Sequence, residues 1–192
     1  MTGSSWLLWW RVMVSRPTLA AFVAVATTLL LLGGRTLPVV GDAGDARILW
    51  YGGSALGTLA AQVVTPRGPI WQPWRRDNSA LRLLVWGAMV LTVSVAAFAG
   101  VLALHDAPWP NAMGVFLICW GGSVTLWRRG FDLAAPMVPF GLVVVLQITA
   151  AFVPALGGIF DERGRTLELI LGIAVASIAL ATPPKQADLG GQ

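Results

Sequence analysis

Few residues in this chain are of a type and spacing that could do chemistry. His105 and Asp106 are adjacent, and a histidine beside a carboxylate is the one pairing here with acid–base character. Neighbours in sequence need not touch, however, and His105 is the single histidine in 192 residues, with no nucleophile beside it. The pair therefore reads as an ordinary turn, within HDAPWP. No HExxH, GxSxG, phosphate-loop or dinucleotide-fold pattern occurs. The lone cysteine, Cys119, lies inside an apolar run, so neither a disulfide framework nor a zinc site is expected. These observations describe a chain with no catalytic residues, no cofactor and no metal site.

The elements that would position any site are apolar and long. Only 11% of residues are charged, against about 25% in an ordinary soluble domain. Mean hydropathy is +0.73, and apolar runs alternate with short polar links, which places the chain in the membrane class. The net charge of +4 does not point to nucleic acid, because the arginines stand at the edges of apolar runs rather than on one folded basic face. The expectation is an all-α polytopic membrane protein. An amphipathic interfacial helix occupies residues 1–17, with Trp6, Trp9, Trp10 and Met13 at helical spacing. A six-helix transmembrane domain follows over 18–182, with spans at 18–34, 48–65, 81–104, 111–126, 133–156 and 166–182. Residues 183–192 are expected to be a disordered cytoplasmic tail. The third span exceeds the ~30 Å hydrocarbon core, the fourth is short, and Pro136, Pro139 and Pro154 predict kinked or unwound ends for the fifth.

Within these spans, Gly53 and Gly57 stand four apart and are candidates for close helix packing. Gln62 and Gln147 are the strongly polar side chains inside spans, suited either to joining helices by hydrogen bonds or to lining a path. Glu168 and Arg82 are expected in the first turns of their helices, within reach of an interface. A carboxylate at mid-span, which an ion-coupled carrier needs, is absent from this reading.

The polar stretch 66–82, PRGPIWQPWRRDNSALR, is the longest interruption of the apolar pattern and carries four arginines against one aspartate. With six spans, both termini and this loop share one side. Nine lysines and arginines then fall on that side and four on the other, which places it in the cytoplasm. Trp71, Trp74 and Trp127 fall at the same face, and Trp50 and Trp109 at the opposite one, as interfacial belts. The expected location is a bacterial inner membrane, with the N- and C-termini inside and the lipid bilayer as the immediate partner.

The layout of WLLWWRVMVSRP followed by six spans resembles the membrane subunit of ABC-2-type exporters. That resemblance implies a permease-like subunit that dimerises and docks a separate ATPase subunit through its N-terminal helix and the loop between its second and third spans. The docking residues implied are Trp71, Trp74, Arg75 and Arg76. The stretch PWPNAMGVFLICWGG and the basic link after it also resemble small six-span membrane proteins of high-GC Gram-positive bacteria, a likeness that implies no activity. The alternative function is a non-transporting membrane scaffold or immunity-type protein.

Overall fold

The structure is a computed structural model and describes residues 16–33, 35–37, 46–64, 79–105, 109–131, 133–153 and 162–182. Six helices account for nearly all of them: α1 (Arg16–Leu32), α2 (Ile48–Val64), α3 (Ser79–Leu104), α4 (Trp109–Arg128), α5 (Ala134–Phe152) and α6 (Glu162–Ala181). The fold is all-α. Its sole ladder among the described residues joins β1 (Thr36–Leu37) to β2 (Ala46–Arg47), antiparallel, with Thr36 opposite Arg47. The expected interfacial helix, apart from Arg16 and Pro17, which begin α1, and the C-terminal tail lie outside the described residues.

The helix contacts fix their directions. Leu29 of α1 packs on Gly52 of α2, and Leu49 on Gly33, so α1 and α2 are antiparallel. Gly53 meets Phe98 and Gly87 meets Val64, so α3 opposes α2. Gly53 and Gly57 face Ala112 and Phe116 in rising order, so α2 and α4 are parallel. Gly114 meets Glu168 and Gly121 meets Val175 and Ala176, making α4 and α6 parallel; Pro139 lies against Gly122 and Cys119 while Val143 clusters with Cys119 and Val115, so α5 is antiparallel to α4. Helix direction therefore alternates along the chain.

α4 is the centre. Residues 111–117 are buried without interruption, as are Cys119, Trp120, Gly121, Ser123, Val124 and Arg128. α2, α5 and α6 enclose α4. Trp120 and Phe116 fill the space around it, and the Phe116 ring stacks on Phe98 with centroids 5.4 Å apart.

Several boundaries differ from expectation. α4 begins at Trp109 and runs 20 residues, longer than the short span expected. Pro110 is its second residue, a position where proline's missing N–H costs nothing. α5 is continuous through Pro136 and Pro139, rather than unwound at its start. Pro136 lies in the first turn, where no intrahelical donor is lost. α6 begins at Glu162, four residues early. Glu168 consequently lies in the second turn, not the first, and is half-buried. Residues 79–82, expected to close the basic loop, start α3.

One stretch among the described residues, Leu84–Leu104 of α3, is long and apolar enough to cross a membrane by length and composition. Four others are apolar but shorter: Pro17–Leu32, Ile48–Val64, Ala134–Leu146 and Thr166–Ala181.

Candidate functional site

The sequence candidates fall in separate places. Gly53 and Gly57 sit on the face of α2 that meets α4. A Cβ on Gly53 would lie 2.9 Å from the Ala112 carbonyl oxygen and 3.0 Å from Phe98 Cζ, and one on Gly57 would collide with the Phe116 carbonyl oxygen. Backbone touches backbone there, which is what small residues permit between apolar helices. Gln62 is half-buried near the C-terminal end of α2. Gln147 lies toward the opposite end of the bundle on α5, because α5 runs antiparallel to α2. By register against α4 the two glutamines are about 12 Å apart along the bundle axis, at 1.5 Å per residue, so they do not share a level. Trp71, Trp74, Arg75, Arg76 and Asp106 lie outside the described residues.

The polar groups that the fold does gather are others. His105 closes the C-terminal end of α3, and its Nε2 is 3.1 Å from both the Leu29 and the Leu30 carbonyl oxygens. These are last-turn carbonyls of α1, which have no intrahelical donor of their own or share one. Its ring also lies over Gly33, where a Cβ would come within 2.9 Å of Cδ2. A residue expected to mark a turn thus ties two helix ends together.

Arg128 does the same at the other end, and more tightly. It is 4% exposed, and its Nη1 donates to the carbonyl oxygens of Ala179 at 2.6 Å, Leu180 at 3.1 Å and Thr182 at 2.5 Å. The C-terminus of α6 offers unsatisfied carbonyls and the negative end of its macrodipole, so a cation there is favoured twice. Gly114, Gly121 and Arg128 are seven residues apart and form one stripe of α4 against α6. Glycine lets the two backbones approach along that stripe, and arginine locks the end.

Buried polar atoms without a partner among the described residues lie toward each of these ends: both amide atoms of Asn111 and Glu168 Oε2, whose backbone meets Gly114, toward the His105 end, and Ser123 Oγ and Thr125 Oγ1 toward the Arg128 end. Asn111 escaped sequence reading because it stood at the presumed edge of a span. The seven-residue spacing of Gly114, Gly121 and Arg128 was the signal that α4 pairs with another helix along its whole length.

Chemically, this arrangement holds helices together. Among the described residues no group of three or more histidine, cysteine, aspartate or glutamate side chains could hold a metal ion. The Cys119 thiol is buried, 3.8 Å from the Pro139 carbonyl oxygen. An apolar groove of about 560 Å³ runs between α1 and α3. Comparison with known families, with curated proteins and with solved structures finds no match to the chain.

Proposed function

We propose that the chain is a multi-pass protein of the bacterial inner membrane, crossing it six times with both termini in the cytoplasm, and that it serves as the permease-like membrane subunit of a multicomponent, ABC-2-like exporter. One observation carries the membrane reading. The side chains turned outward on four different helices are large and apolar, as with Leu31, Val93, Met137, Leu142 and Ile173, while Ser54, Thr58, Ser94, Asn111 and Ser123 are turned inward. In water such a surface would aggregate. In hydrocarbon it is matched to its solvent, and the small residues of the interior allow the close backbone packing that holds helices together in lipid. Helices of 17 to 20 residues reach about 26–30 Å, close to the hydrocarbon thickness.

The exporter role rests on the layout and on the basic, tryptophan-containing loop with Trp71, Trp74, Arg75 and Arg76 between α2 and α3. It is tested by capture from membranes with an ATP-binding subunit. Alanine at these four positions together abolishes the capture and leaves membrane insertion intact. If capture survives, the loop is not the dock.

A second reading, a non-transporting scaffold or immunity-type protein, is favoured by the backbone contacts of α2, α4 and α6, which leave no room for a conduit unless these helices separate. The two readings divide on one result: a scaffold captures no nucleotide-dependent partner.

A further inference from the structure

The groove between α1 and α3 is not used by the function proposed above. Its walls include Phe22 and Leu30 from α1 and Ala97, Gly100 and Leu104 from α3, and Leu56 of α2 lies at its floor. Every residue lining it is apolar. It runs about 12 Å along α1, from Phe22 to Leu30, at 1.5 Å per residue. Its rim is open: Leu104 is 73% exposed, and a Cβ added to Gly100 would meet no atom within 4 Å. Among the described residues Gly100 thus has no packing partner, in contrast to Gly53 and Gly57.

Its contents follow from physical chemistry. An apolar cavity of ~150 Å³ already stays dry and takes up an apolar guest, and this groove, at about 560 Å³, is several times larger. In a bilayer the neighbouring apolar material is lipid tail. The two ends of the groove differ. The Phe22 and Ala97 end points along both helices toward mid-membrane. The Leu30 and Leu104 end lies where His105 ties α3 to α1. Arg35 follows directly, its N–H donating to the Leu32 carbonyl oxygen at 2.9 Å and its side chain exposed. An apolar trough whose outer end lies on the last turn of α1, with an exposed arginine five residues beyond Leu30, matches one molecule in both chemistry and polarity.

We propose that this groove binds one acyl chain of an anionic phospholipid, whose phosphate lies at Arg35. The proposal rests on the membrane reading above and adds a specific lipid site to it. The bound lipid covers the side of the α1–α3 contact that the described residues leave open.

The test is native mass spectrometry of the full-length protein extracted in mild detergent from bilayers of phosphatidylglycerol and phosphatidylcholine. The wild type retains one phospholipid, enriched in phosphatidylglycerol. Gly100→Phe fills the groove and loses that lipid. Gly141→Phe, at a second open position on α5 away from the groove, keeps it. Arg35→Gln keeps a lipid but loses the preference for phosphatidylglycerol. The proposal is overturned if the wild type carries no lipid, if Gly100→Phe retains it, or if Gly100→Phe changes the number of protein copies instead, which would make the groove's occupant a second chain. Each variant's membrane insertion is measured on the same preparation. Failure of the wild type to insert defeats the membrane reading, whereas insertion without bound lipid defeats only this site.

Discussion

An arginine at the end of an apolar helix ordinarily extends its stem and puts its charge in water or among headgroups. Arg128 turns inward and spends its Nη1 on three carbonyl oxygens of another helix. In a count of basic residues it is one topogenic charge among nine; in the fold it is a clamp. Arg128→Met keeps much of the side-chain volume and removes the donors, so it lowers stability by about 2–3 kcal/mol, as expected when hydrogen bonds to a charged group are lost. Arg129→Met, one residue on and exposed, changes stability by no more than ~0.5 kcal/mol. Thermal unfolding in detergent separates them, and equal shifts in both variants would contradict the clamp. Asn111 makes the opposite case. Both of its amide atoms are buried without a partner among the described residues, and a buried polar group without a partner contributes cost rather than stability. Asn111→Leu is therefore neutral or stabilising in the same measurement. A loss of more than ~1 kcal/mol would mean that a bound water or another group pairs with the amide.

At the scale of elements, each predicted span has its helix, since apolar runs bounded by glycine, proline and arginine are strong signals in a chain with so few charges. The ends were less legible. Trp109-Pro110 has the composition of a turn, yet proline at the second position of α4 starts the helix as readily as it ends one. The roles of Arg128, His105 and Asn111 were not legible, because each depends on which helix lies opposite, and periodicity within one helix does not name its neighbour. The glycines show the same limit. Gly57 and Gly100 look alike in sequence, but one touches the Phe116 backbone and the other faces open space. Gly57→Ala is expected to destabilise the bundle by about 1–3 kcal/mol through overpacking. Gly100→Ala is expected to be neutral or to stabilise it by up to ~1 kcal/mol, because alanine is the better helix former. Similar effects at both positions, read by thermal unfolding, would contradict the α2–α4 contact described here.

At the scale of the whole molecule, the alternation of helix direction brings the C-terminal ends of α2, α4 and α6 and the N-terminal ends of α1, α3 and α5 to one end of the bundle. The 66–82 stretch and the 127–132 link both join helices at that end, and the basic residues that the proposed topology assigns to the cytoplasm are the ones attached there. The charge count takes for granted that the chain reverses direction at each link, and the helix packing shows that reversal; the topology proposed above builds on both. The most direct measurement of it is cysteine accessibility in intact spheroplasts, using full-length protein with Cys119 replaced by alanine and single reporter cysteines in the 38–45 link, the 66–78 loop and the 183–192 tail. A membrane-impermeant maleimide is expected to label the 38–45 reporter at once and the other two only after the membrane is permeabilised. Labelling of the 66–78 reporter from outside, or recovery of the protein in the soluble fraction, would contradict the account.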